Sequence, residues 1–272
     1  MLSGYTVTRV AQARQVQAVP RDRTSGLLIV SADDWGHDSG ATDAIHECFQ
    51  AGAVSSVSAM VHMSDSARAA ELAIGGGEPV GLHINLTEAF TGPDCPATAR
   101  SRQARIVGYF AGPRRRMWGL SPTLFKTIED CIAEQLETFR NLYGREPTHV
   151  DGHQHVHKSL GVLLSRTLPS GLRMRPSLTF MPGEKSLPNR LARALVNRVM
   201  RMRFRIPRYL FDLREAHPAF GGAGLDRKLA LADQHSVEFM THPALADERA
   251  VLLGADWAAH LRGRRIGGYP DL

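Results

Sequence analysis

Short β-branched or apolar runs alternate along this chain with longer stretches whose apolar residues recur every three or four positions. Runs of the first kind suit buried strands and those of the second amphipathic helices. Their alternation is the mark of βαβ units around a largely parallel sheet. LLIVSA (Leu27–Ala32) reads as the first strand, followed by a helix over ATDAIHECFQAG that Gly52 is placed to stop. AVSSVSAMV (Ala53–Val61) reads as the second strand, and SDSARAAELAI as the next helix, with Ser64 or Asp65 at its N-cap. VGLHINL (Val80–Leu86) is the third. After it a Gly-, Pro- and Arg-rich stretch runs to Leu120, long enough to be a functional loop.

The clearest helical pattern is SPTLFKTIEDCIAEQLETFRNLYG, with Ser121 as N-cap, Pro122 at the first position and Gly144 past the end. THVD then predicts a fourth strand, KSLGVLLSRTL a helix, LRMRPSLTF a fifth strand, VEFMTH a later one and RIGGYP a short last one. There is no internal repeat. The expectation is one α/β domain over residues 26–272, an irregular (β/α) barrel of about seven parallel units, with residues 1–25 a flexible extension. An open doubly wound sheet is the alternative.

Composition narrows the setting. No apolar run approaches the roughly 18–20 residues that span a bilayer, and the N-terminus lacks the continuous apolar core of a secretory signal. Cys48, Cys95 and Cys131 are odd in number and widely spaced, which fits neither a disulfide framework nor a thiolate zinc site and suits a reducing cytoplasm. The formal charge is +6, from 29 arginines and four lysines against 27 acidic residues. The basic residues are not interleaved with stacking aromatics, so nucleic acid is not expected as a partner. Two clusters stand out, Arg114–Arg116 and NRLARALVNRVMRMRFRIPRYL (Asn189–Leu210). The second is basic and apolar together, which suits a helix on the core with arginines at its rim, an anionic-ligand site, or peripheral contact with a membrane surface. A homodimer is left open.

In a parallel α/β fold the strand C-termini share one rim, where catalytic groups gather. Asp33 and Asp34 end the first strand, His83 lies near the end of the third, Asp151 and His153 end the fourth, and His242 ends VEFMTH. Each alone has an ordinary reading: paired aspartates cap helices, and a lone histidine in a strand is most often a core residue. Their convergence makes a catalytic divalent-metal site of the Asp-His-His kind the economical account. THVDGHQHVH holds four of the twelve histidines within nine residues. In extended chain His149, Asp151, His153, His155 and His157 share a face, and in helix His153 and His157 do. A strand advances about 3.3 Å per residue and a metal's first shell is about 2 Å in radius, so one ion cannot collect them all. His153 is the ligand expected. The others orient ligands, line the rim or serve the fold. Arg175 shares a strand direction with Arg173. It could reach the rim and meet anionic groups of a substrate, or form an exterior salt bridge.

The strings VSADDWG, VGLHINLT, EPTHVDGHQHVH and EFMTHPAL, in this order from Leu27 onward, resemble the YdjC-like carbohydrate deacetylases, a family with chitooligosaccharide-deacetylase and hopanoid-biosynthesis-associated members. The resemblance implies hydrolysis of the N-acetyl group of an amino sugar, with one divalent ion, zinc or magnesium, manganese and cobalt being alternatives. It implies Asp34, His83 and His153 as metal ligands, Asp33 as base and His242 as a candidate acid; the histidine cluster itself offers His155 as a second choice of acid. Trp35 stands where relatives carry Phe and would keep a flat apolar wall. The segment after His242 is shorter than in relatives, which leaves the sugar open and motivates a second reading, a non-catalytic metal-containing protein that binds a glycan or nucleotide-sugar.

Overall fold

The computed structural model describes residues 26–112 and 122–272. The N-terminal extension, the Arg114–Arg116 cluster and the Ser121 cap lie outside the described residues. Six strands form one sheet: β1 (Leu27–Trp35), β2 (Ser56–Ala59), β3 (Val80–Ile84), β4 (Val150–Gly152), β5 (Tyr209–Asp212) and β6 (Ser236–Thr241). Their order is β4-β3-β2-β1-β6-β5 and every pairing is parallel. Helices α1 (Ser39–Gln50), α2 (Ser66–Gly76), α3 (Ala97–Phe110) and α4 (Pro122–Tyr143) connect the first four strands. One turn, α5 (Leu160–Leu163), and then α6 (Leu187–Arg201) precede β5, while α7 (Leu213–Ala216) and α8 (Leu225–Ala230) lead to β6. Helices α9 (Ala246–Leu252) and α10 (Ala255–Leu261) follow. Gly52 and Gly144 stop α1 and α4 at φ +69° and +63°, which side chains resist.

The sheet curls into a half-barrel, and its two edges are linked through residues 172–205. Met174 bridges Val150 of β4, and Arg173 bridges Arg205 just ahead of β5. The Val150 N–H donates to Arg173 O and the Met174 N–H to Arg205 O, both at 2.9 Å. The irregular (β/α) barrel of a single domain is therefore present. LRMRPSLTF, expected as a full strand, supplies only these bridges, because Pro176 has no N–H for a ladder. RIGGYP likewise makes a single bridge, Ile266 to Leu28. The helix expected over KSLGVLLSRTL stops after one turn, since the Arg203 guanidinium takes the carbonyls of Leu163, Ser165 and Leu168. β5 was not expected, its residues being hidden in the basic run.

Period-two alternation sorts the strands into two faces. Leu28, Val30, Val57, Leu82, Val150, Val237 and Phe239 pack outward in the main core under the helices. Leu27, Ile29 and Tyr269 close the bottom of the barrel. Above them the interior is polar: Ser31, Asp33, Ser58, His83, His149, Asp151, Arg175 and Glu238 are all buried. Among the described residues no helix is long and apolar enough to cross a membrane.

Candidate active site

The polar interior leads up to the rim. β1 is irregular where it ends: its register with β2 shifts between Ala32 and Trp35, and Asp34 sits at φ +71°. Left-handed backbone at a non-glycine residue costs of order 1 kcal/mol or more and gathers at functional sites. Here it turns Asp33 into the barrel and Asp34 toward His83 and His153. One Asp34 carboxylate oxygen, Oδ1, lies 3.0 Å from His153 Nδ1 and 3.5 Å from His83 Nε2. The two imidazoles stand edge to face, centroids 5.5 Å apart. These three donor atoms are close enough to share one ion.

Both histidines are oriented from behind. His83 and Asp151 are register partners on β3 and β4, and His83 Nδ1 meets Asp151 Oδ1 at 2.8 Å, which frees Nε2 for the site. The Ser58 hydroxyl donates to the same oxygen. Across the site His153 Nε2 meets Glu88 Oε1 at 3.0 Å. Glu88 is fixed by an Asn85-centred turn, in which Asn85 Oδ1 accepts from the Thr87 and Glu88 N–H groups. His37 braces Glu88 at 3.2 Å and is held in turn by Asp38, the N-cap of α1. This is the arrangement that fixes tautomer and ring orientation in metal sites.

Arg175 is the hub beneath. It is fully enclosed, and its Nη1 and Nη2 clasp Asp33 at 2.6 and 2.7 Å. Nη1 also lies 2.6 Å from Asp151 Oδ2, and Nε donates to Glu238 Oε1 at 2.8 Å. Asp33, His83 and Asp151 form a second metal-capable group by distance alone. The guanidinium already neutralises its two carboxylates, which leaves the Asp34 group as the candidate ion site. His242, at the end of β6, has Nε2 3.9 Å from Asp33 Oδ2. Glu248 of α9 accepts from its backbone N–H at 2.8 Å and places its other oxygen 4.0 Å from Nδ1.

The electrostatics follow from enclosure against these partners. Burial opposes charge on Asp34, but the His153 hydrogen bond and the nearby His83 outweigh it and hold the carboxyl well below its usual range. Burial likewise disfavours the His83 cation, yet Asp151 and Asp33 lift it to about 9. Burial and the neighbouring Lys158 drive His157 down to about 3. Burial takes His149 to about 3 as well. Asp34 and His153 keep 21% and 15% of their side-chain surface and His83 only 2%, so the site opens on the Asp34–His153 side.

Asp33, Asp34, His83, Asp151, His153 and His242 are thus brought together, as the strand-end reading expected. Others are placed elsewhere. Arg175 meets neither a substrate anion nor the exterior, because three buried carboxylates enclose it. Trp35 is not a wall of the site: it is fully buried, and its N–H donates to Ala69 O at 3.1 Å. The chain after Gly152 is neither strand nor regular helix. Gln154 and His155 adopt φ +50° and +61°, and His157 turns under the loop with neither ring nitrogen hydrogen-bonded. His149 stacks on Tyr269 at 3.8 Å. Sequence reasoning missed Glu88, His37, Glu238 and Glu248. The first two had a signal, as both follow a strand end bearing a candidate ligand within five residues.

The family model described as YdjC-like protein matches residues 27–264. A chitooligosaccharide deacetylase of Yersinia enterocolitica is 32% identical over 82% of this chain and 83% of its own. Carbohydrate deacetylase of Mus musculus is 40% identical over 53% of this chain. That match spans 46% of the mouse protein, less than half its length. A crystal structure from Enterococcus faecalis V583, of a protein to which cellobiose-phosphate cleavage has been ascribed, shares the fold: TM-score 0.62, 20% identity, 91% of this chain and 98% of that one.

Proposed function

The chain belongs to the YdjC-like protein family, and from that premise we propose that it is a metal-dependent carbohydrate N-deacetylase, removing the N-acetyl group of an amino sugar. One observation carries the reading: Asp34, His83 and His153 turn three donor atoms to one point beside a clamped carboxylate, Asp33, and a half-exposed imidazole, His242.

The donor set fits a borderline divalent ion, zinc foremost, with manganese or cobalt as alternatives; magnesium, a hard ion that prefers oxygen ligands, rests on the family resemblance. A carboxylate oxygen and two imidazole nitrogens converge, each imidazole held through its other nitrogen by Asp151 or Glu88. A bound ion would polarise the acetamide carbonyl and make a neighbouring water more acidic. The remaining work falls to the chain. Asp33 accepts the proton of the attacking water as oxygen bonds to the carbonyl carbon. Arg175 fixes both oxygens of Asp33 and so sets its direction. His242 delivers a proton to the amine nitrogen as the C–N bond breaks, giving acetate and the free amino sugar. Glu248 holds the His242 backbone and lies behind its ring. Substrate enters where Asp34, His153 and His242 are exposed. Cys48, Cys95 and Cys131 are free and buried, which supports a reducing, cytoplasmic setting.

Acetate release by the full chain from N-acetylglucosamine and its short β-linked oligomers, with zinc, magnesium, manganese or cobalt supplied in turn, tests this. The expected result is acetate in stoichiometric yield with at least one ion and none after chelation. Tight sugar binding without acetate under any ion would replace the enzyme by a binding protein.

A further inference from the structure

Helix α6 turns its leucines away from the protein. Leu187, Leu191, Leu195 and Val199 recur every fourth residue, Met202 follows in the cap, and the five lie on one side of the helix. They are between 50% and 84% exposed, and they are five of the ten large apolar side chains exposed among the described residues. The helix meets the core on its other side, through Met200 and through Asn197, whose amide exchanges hydrogen bonds with the Ser177 backbone at 2.7 and 3.0 Å. A helix already seated on its core has no structural need of a second apolar face, and contiguous patches of this kind mark contact sites.

The charge around the stripe has one sign. Between Glu184 and Asp212 the sequence has eight basic residues and no acidic one. Lys185 pairs with Glu215 at 3.6 Å. Among the described residues no carboxylate lies within ion-pair distance of Arg190, Arg193, Arg198, Arg201 or Arg208. Arg190, Arg193, Arg201 and Arg208 line a cavity of about 460 Å³ beside Leu187 and Leu191. The buried Nε of Arg190 has no hydrogen-bond partner there. Cations without ion-pair partners beside solvent-facing leucines call for an occupant that is both anionic and apolar.

We propose that α6 is an interfacial helix that seats the protein on a membrane leaflet carrying anionic phospholipid, leucines at the acyl boundary and arginines on headgroup phosphates. A second copy of the chain is the poorer occupant, because a two-fold contact would set two rows of arginine against each other. The chain's own remaining segments do not complement the face either. Residues 1–25 carry four arginines and one aspartate, and residues 113–121 three arginines and no acid. This membrane contact is independent of the chemistry assigned to the barrel rim.

Co-sedimentation of the full chain with vesicles tests it. Binding is expected to vesicles of equal parts phosphatidylcholine and phosphatidylglycerol, to weaken with salt, and to be absent on phosphatidylcholine alone. Leu191→Glu/Leu195→Glu should weaken it at least about tenfold, since two partly inserted leucines are worth more than the ~1.4 kcal/mol of one decade. Arg190→Gln/Arg198→Gln/Arg201→Gln should do the same, and both variants should melt with the wild type because every altered side chain faces solvent or the cavity. Failure to sediment with the anionic vesicles overturns the proposal. So does full binding by the leucine variant, which would reduce the contact to adsorption on any polyanion, or lipid-free dimers that the leucine variant dissolves, which would assign the face to a second copy.

Discussion

Arg175→Met leaves the side-chain volume nearly unchanged and removes one charge from a place closed to solvent. The guanidinium makes five contacts, bridging Asp33, Asp151 and Glu238 and reaching Ser31, and its own exposure is zero. Without it two aspartates and a glutamate face one another with only imidazoles near them, His83 2.8 Å from Asp151 and His242 3.9 Å from Asp33. Removing one partner of a buried ion pair costs about 3–5 kcal/mol, because the other charge is stranded. For a chain of this size each kcal/mol moves the melting temperature by about 2–4 °C, so a fall on the order of 10 °C is expected. Thermal and urea unfolding followed by circular dichroism measure it. The cost should shrink in an Asp33→Asn background, where one stranded carboxylate is already neutral, leaving a coupling of about 0.5–3 kcal/mol. A melting temperature within about 2 °C of wild type, or equal losses in the two backgrounds, would refute the view that Arg175 neutralises this cluster.

Glu88→Gln keeps the shape of the His153 contact but removes the carboxylate, and should weaken divalent-ion affinity about 10–100-fold by isothermal titration while leaving the melting temperature of the metal-free protein nearly unchanged. His242→Ala should lower turnover about 10²–10⁴-fold with little change in ion affinity, measured by acetate release and titration on the same preparation. Acid should destabilise the protein through His149 and His157. Their folded values of about 3 lie below the usual 6.5, so the unfolded chain binds more protons between those limits, and stability present above about 6.5 is lost as pH falls toward 3. Each histidine contributes a slope of about 1.4 kcal/mol per pH unit in that window. His149→Phe, which can keep the stack on Tyr269, should make the acid limb of urea-midpoint against pH shallower, and an unchanged slope would contradict the assignment.

The rim was legible because two simple periodicities placed it. Strand alternation sends Asp33, His83 and Asp151 into the barrel, and parallel connections put the strand ends together, so residues 119 positions apart, Asp34 and His153, meet at 3.0 Å. What could not be read is what lies between elements. Trp35 looks like a site aromatic in DDWG, but the left-handed Asp34 swings the chain and buries it. Arg175 reads as an exposed strand residue until the barrel closes around it, and only Asp33, Asp151 and Glu238, from three strands, explain why a charge belongs there. Glu88 depends on an Asn85 turn that no periodicity announces. β5 was hidden because YLFD continues an arginine-rich pattern already assigned to a helix, and its strand character comes from pairing with β6. The outward leucines of α6 were equally invisible in the sequence, since a helical stripe does not say which side meets the core.

In the proposed mechanism two adjacent carboxylates divide the work, Asp34 holding the ion and Asp33 taking the proton. Asp33→Asn and Asp34→Asn, assayed side by side for ion affinity and for acetate release from an N-acetylated chito-oligosaccharide, test it most directly. Asp33→Asn should bind the ion as wild type does and release almost no acetate, while Asp34→Asn should lose both. Retention of the ion by Asp34→Asn, or its loss from Asp33→Asn, would contradict it.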